Sequence, residues 1–136
     1  MNSTARAFEL PLLPQPDDID DVGHVSNIVY VRWLQDIAIA HSNFHGWDWQ
    51  RYREFGGVFV VKRHEIDYGV SVKLGDAVVG RTWIESMKAV SCIRRTEILL
   101  AGKAAVTAAT TWVMVNYETG RPQRIPSEIQ QLFLEP

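Results

Sequence analysis

An α+β fold, with one antiparallel sheet of about five strands curled around one long helix, is predicted by three features of this 136-residue sequence. A segment of helical length near the N-terminus is apolar almost all round. Four long segments rich in β-branched and aromatic residues follow it. The junctions between them are short and carry turn residues, which implies antiparallel neighbours, because a parallel crossover takes about a dozen residues or more. The length is that of one domain, spanning 1–136, with no internal repeat, linker or low-complexity stretch.

Residues 6–13 (Arg-Ala-Phe-Glu-Leu-Pro-Leu-Leu) read as a short edge strand, since Pro11 removes a ladder donor that a central strand would need. An acidic turn, Asp17 to His24, follows. The helix runs from Asn27 to about His45. Ile28, Val29, Tyr30, Val31, Trp33, Leu34, Ile37, Ala38, Ile39, Ala40 and Phe44 cover most of its circumference, leaving a narrow polar stripe at Arg32, Asp36 and Asn43. A helix of that kind is expected to be enclosed by the rest of the chain. The enclosure is a meander of four strands: Val58 to Tyr68, Ala77 to Met87, Cys92 to Leu100 and Ala104 to Tyr117. Gly75-Asp76, Lys88 to Ser91 and Ala101 to Lys103 mark the junctions. After Thr119-Gly120-Arg121-Pro122 a short terminal helix is expected, with Pro126 in its first turn and Glu128 suited to its positive end. The free edge of such a sheet and five tryptophans point to association between copies.

Composition excludes several classes of function. The chain is 46% hydrophobic and 22% charged, a mixture able to bury a core. Fourteen Lys and Arg against sixteen Asp and Glu give a net charge of −2, which argues against a nucleic-acid partner. The single cysteine, Cys92, forms no internal disulfide and points to a reducing compartment. No apolar run reaches membrane-spanning length, and Met1 to Gln15 makes a poor signal peptide, so a cytoplasmic protein without a membrane partner is expected.

The strong catalytic motifs are absent: no G-x-S-x-G, P-loop, G-x-G-x-x-G or H-E-x-x-H. Cys92 sits mid-strand without a base and reads as a core filler. His41 and His45 share a helix face at metal-ligand spacing, but too few partners accompany them, and no metal site is assigned. His64 reads as a polar strand position. Its block Lys62-Arg63-His64-Glu65, with Arg81, Lys88, Arg94 and Arg95, either presents cations to a phosphorylated ligand or forms ordinary solvated strand faces. The informative segment is Asp17 through Leu34. Four carboxylates fall in five positions before an apolar helix, where Asp20 can be held at the helix mouth beside main-chain N–H groups that lack internal partners.

Asp18-Ile19-Asp20-Asp21-Val22-Gly23-His24-Val25-Ser26-Asn27, then Tyr30 and Val31-Arg32-Trp33-Leu34, resembles the signature of hotdog-fold acyl-CoA thioesterases of the 4-hydroxybenzoyl-CoA thioesterase type. Ile66-Asp67-Tyr68 before Gly75-Asp76, the Trp112-Val113 strand and Gly120-Arg121-Pro122 leading to Ile125-Pro126 follow in the same order. Gly69 stands where the family often has a proline after the tyrosine. The resemblance implies a hotdog fold and hydrolysis of an acyl-CoA, with Asp20 as nucleophile or general base. It implies that amides at the helix start, around Asn27, polarise the carbonyl, with the Asn27 side chain available to orient water or substrate. His24 and Gly23 shape the turn that aims Asp20, and Gly23, Tyr30 and Tyr68 line the substrate. It requires no cofactor or metal, and implies a homodimer or homotetramer. Two rivals remain at this level: a non-catalytic acyl-CoA-binding module, and an enoyl-thioester hydratase or dehydratase on the same fold.

Overall fold

The computed structural model describes residues 7–134. Strand β1 (Phe8–Leu12) leads through a 3-10 turn (Pro16–Asp18) to α1 (Asn27–Phe44) and α2 (Trp49–Phe55). Strands β2 (Gly57–Tyr68), β3 (Val78–Met87), β4 (Ser91–Leu100) and β5 (Lys103–Asn116) follow, then α3 (Ser127–Leu134). The expected elements form nearly where the sequence places them, although Arg6, the expected start of β1, lies outside the described residues.

The strand order, β1-β3-β4-β5-β2, corrects the four-strand meander. Only β3, β4 and β5 follow one another through tight turns. The segment 69–77 carries the chain across the sheet, and β2 pairs antiparallel with β5 along the far edge. Its course is fixed by hydrogen bonds at both ends. The Gly69 N–H donates to Ala105 O at 2.8 Å, and Lys73 N–H donates to the Asp76 carboxylate at 2.9 Å. A proline at 69 would delete the first of these bonds, which accounts for the glycine there. As expected, β1 is an edge strand, with Pro11 opposite Val79.

Two hydrophobic clusters fill the concave side. One joins Val29, Tyr30, Trp33 and Ile37 of α1 to Val72, Val78, Ile98 and Val106. The other joins Trp47 and Tyr52 to Ile84, Cys92, Met114, Ile125, Ile129 and Phe133, so α2 and α3 close the end of the sheet that α1 leaves open. The sequence reading missed α2. Its signals were a cap at each end: the Asp48 carboxylate accepts the Arg51 N–H at 2.9 Å, and Gly56 ends the helix at φ +91°. Pro126 stands just ahead of α3 rather than within it, its carbonyl accepting the Ile129 N–H.

Helix α1 is not enclosed all round. Ile28 is 80% exposed and Phe44 73%, because the sheet curls against one side only. The approach on that side is tight. A Cβ on Gly80 of β3 would fall 2.3 Å from Ile37 Cδ1 and 2.8 Å from Ile37 Cγ1, and Ile37 is fully buried. Gly80→Ala should therefore destabilise the fold by about 1–3 kcal/mol through overpacking, read as a lower midpoint in urea. An unchanged midpoint would mean that Ile37 can move aside.

Candidate active site

The acidic turn is a closed loop. Ile19 and Val25 pair as an antiparallel bridge. Between them Asp20 N–H donates to His24 O at 2.8 Å and Gly23 N–H to Asp20 O at 3.0 Å. Gly23 takes φ +84°, a conformation that L side chains rarely adopt. The Asp20 carboxylate is part of this loop, since its Oδ1 accepts the N–H groups of Val22 at 3.0 Å and His24 at 3.3 Å. Among the described residues its Oδ2 has no hydrogen-bond partner, and Asp20 is exposed. The donors that hold Asp20 thus belong to its own turn and not to the helix mouth, a correction to the expectation. His24 contributes through its main chain.

Ser26 caps α1, its Oγ accepting the Ile28 N–H at 3.2 Å. The next two amides, of Val29 and Tyr30, turn back to Ser26 O. Asn27, first residue of the helix, is exposed, and its N–H is given no acceptor among the described residues. Tyr30 and Tyr68 are brought together, ring centroids 5.6 Å apart. The Tyr30 hydroxyl accepts the Val72 N–H at 3.3 Å, while Val25 N–H donates to Val72 O at 2.8 Å, so this one residue fastens segment 69–77 to the turn. Burial raises the pKa of Tyr30, and the charges of Asp20 and Asp76 push the same way, against the Val72 hydrogen bond. Asp20, Tyr30 and Tyr68 therefore share one neighbourhood.

Asp18 has a different task. It is buried, accepts the Gln15 N–H at 2.8 Å and pairs with Arg32 Nη2 at 2.9 Å. Burial raises its pKa, but the Gln15 bond and the Arg32 guanidinium outweigh burial and the net shift is downward.

A second concavity lies further along α1. Its volume is about 320 Å³, and Ala38 and Ser42 of α1, Trp47, Tyr52, Phe59, Cys92, Arg94 and Trp112 help to wall it. Arg94 is buried, 6% exposed. Its Nη1 donates to His41 Nδ1 at 2.9 Å and to Thr82 Oγ1 at 3.1 Å. A guanidinium only donates, so Nδ1 is the acceptor and the His41 ring proton sits on Nε2. Burial pushes the Arg94 pKa down to about 10, which leaves it charged at neutral pH, and pushes the Cys92 thiol up to about 11. Arg94 was grouped with Arg81 and Arg95 in the sequence reading. The structure separates them: Arg81 pairs with Glu97 at 3.5 Å and Arg95 with Glu85 at 2.9 Å, on partly exposed positions of the sheet. Strand alternation could have revealed this, because Arg94 shares a face with buried Cys92 and Ile98. His41 is stacked on Phe8 with ring centroids 5.1 Å apart, and its partner of sequence spacing, His45, lies at the same distance.

Among the described residues no helix is long and apolar enough to cross a membrane. The family model for the acyl-ACP thioesterase N-terminal domain matches residues 6–133. Of the solved structures, the DHNA-CoA thioesterase of Staphylococcus aureus is similar with a TM-score of 0.84 and 18% identity, over 93% of this chain and 92% of that one. The 1,4-dihydroxy-2-naphthoyl-CoA thioesterase of Synechocystis is similar with a TM-score of 0.86 and 16% identity, over 95% and 96%. A further Staphylococcus aureus protein, solved in complex with CoA, gives 0.86 and 16%, over 93% and 80%. No curated protein sequence is matched. These likenesses establish the hotdog fold.

The pH dependence of stability tests the role of Asp18. A carboxylate whose folded pKa is depressed stabilises the fold above its unfolded value, about 3.9, and loses that contribution as pH falls through the folded value. Asp18→Asn should cost about 1–3 kcal/mol at pH 7 in urea unfolding, with the two proteins converging below about pH 4. A deficit independent of pH would exclude the ion pair as its source.

Proposed function

The chain belongs to the acyl-ACP thioesterase N-terminal domain family, and from that premise we propose that it hydrolyses an acyl-CoA to a free carboxylic acid and CoA, with Asp20 as the reacting carboxylate. The observation that carries this reading is the asymmetry of Asp20. Two N–H groups fix one oxygen, and the other has no hydrogen-bond partner among the described residues. The carboxylate either attacks the thioester carbon, expelling the CoA thiolate and leaving an anhydride that water cleaves, or takes a proton from the water that attacks. Both routes need a charged carboxylate aimed by its surroundings. The Asn27 N–H, at the positive end of α1, is a donor suited to the oxyanion, and its side chain to water or substrate. Gly23 allows the loop to turn, His24 anchors Asp20, and Tyr30 and Tyr68 line the acyl path.

We take the active unit to be a homodimer, or a homotetramer built from it. Val22, Ile28, Tyr68, Val70 and Leu74 are all large, apolar and exposed, from 46% to 80%, on the segments that surround Asp20. An apolar rim around a charged group suggests that a second copy covers it. That cover would also exclude water from the carboxylate and strengthen its interactions.

Asp20→Asn keeps an oxygen for the Val22 and His24 amides while removing the charge. It should lower kcat for acyl-CoA by about 10²–10⁴ with unchanged thermal unfolding, measured as thiol release. Undiminished turnover would remove Asp20 from the chemistry. Saturable acyl-CoA binding without thiol release in the unaltered chain would favour a binding module, and loss of enoyl conjugation without thiol release a hydratase. An acyl-carrier-protein thioester, run in parallel, identifies the carrier. Val70→Arg should shift the mass found by light scattering towards the monomer and lower turnover with it; a fully active monomer would defeat the shared-cleft reading.

A further inference from the structure

The cavity beside Arg94 has an unbalanced polar inventory. Arg94, Trp47 and Trp112 wall it, and the Arg94 Nε, Trp47 Nε1 and Trp112 Nε1 N–H groups lie behind that wall, buried and without an acceptor in the structure. Each is a donor only. Among the described residues Arg94 joins no ion pair, so its buried charge is met by hydrogen bonds to neutral partners alone. The hydroxyls on the same wall are already matched, since Ser42 Oγ and Tyr52 Oη are 2.6 Å apart. A buried cation and unmatched donors are costly to keep unless something accepts from them. Most of the remaining lining, Ile84, Met87, Ile129 and Phe133 among it, is apolar, with the amides of Gln35 and Asn43 on the α1 side.

We propose that this cavity is a binding site for a carboxylate carried on an apolar body, with the carboxylate oxygens on the Arg94 guanidinium and the hydrocarbon against Phe59, Ile84 and Phe133. A volume of 320 Å³ holds on the order of ten heavy atoms, at the ~30 Å³ that each water takes in the liquid. The site is distinct from the Asp20 loop of the same chain. Gln35, at its near end, lies eight residues beyond Asn27, about 12 Å along α1 at ~1.5 Å per residue. Two sources present this chemistry: a free carboxylic acid, or the far end of an acyl group that carries a second carboxyl.

The test is calorimetric titration of the full chain with octanoate, against 1-octanol. Saturable binding of octanoate and not of the alcohol is expected. Arg94→Met should weaken it at least tenfold, with circular dichroism and thermal melting confirming the fold. Arg94→Gln, which keeps a donor and removes the charge, should weaken it severalfold and serves if Arg94→Met fails to fold. Absence of saturable octanoate binding, as for a cavity that holds water alone, or equal affinity in the folded variants, overturns the proposal. These readouts need no turnover, so they stand whether or not Asp20 hydrolyses thioesters. A kinetic arm separates the sources. If Arg94→Met lowers kcat/KM for the CoA monothioester of octanedioic acid but spares octanoyl-CoA, the carboxylate is the acyl tail. If both are spared while octanoate binding is lost, it is a free acid.

Discussion

The seating of Ile37 on Gly80 sets the position of everything functional in this molecule. A helix brought that close to a sheet at one point cannot follow a curled surface along its whole length. Ahead of the contact, α1 lies on Val72, Val78, Ile98 and Val106 and delivers its N-terminus to the acidic turn. Beyond it, His41 still joins the helix to Arg94 of the sheet, and α2 and α3 complete the closure around the space that remains. The acidic turn precedes the helix that makes this contact, and the lined cavity runs along the same helix from Gln35 to Asn43.

Between the two hydrophobic clusters runs a polar belt. His64 lies opposite Thr110, Thr110 opposite Arg94, and Thr82 opposite Thr96 in the next row. Thr82 is the hub: its hydroxyl donates to Arg95 O at 2.7 Å and its oxygen accepts from Arg94. His64 Nδ1 is 2.9 Å from Thr110 Oγ1, and burial lowers the His64 pKa, which favours the neutral ring. Charged and polar groups in this setting are held by geometry and not by solvent, so the belt defines a wall whose donors cannot rotate away from an occupant.

Much of this was legible in the sequence, for identifiable reasons. The helix and strands carried strong periodicity, and the residues from Asp18 to Asn27 carried a pattern whose glycine the structure uses as expected, at a turn. What escaped reading depended on long-range placement. The destination of β2 is decided by the hydrogen bonds of segment 69–77, not by its length. The donors to Asp20 come from a loop that bends back on itself, which spacing along a helix does not describe. Arg94 was hidden by its neighbours in sequence, Arg95 among them, although its strand parity pointed inward. Helix α2 is only seven residues long, too short for periodicity to announce.

Cys92 lines the cavity as the only sulfhydryl of the chain, enclosed and kept in its protonated state. A group so shielded resists air oxidation and does not cross-link one molecule to another, so preparations can dispense with reductant. It also keeps the protein silent toward disulfide-based colour reagents. Sulfur counted in such an assay therefore comes from the thioester supplied and not from the protein.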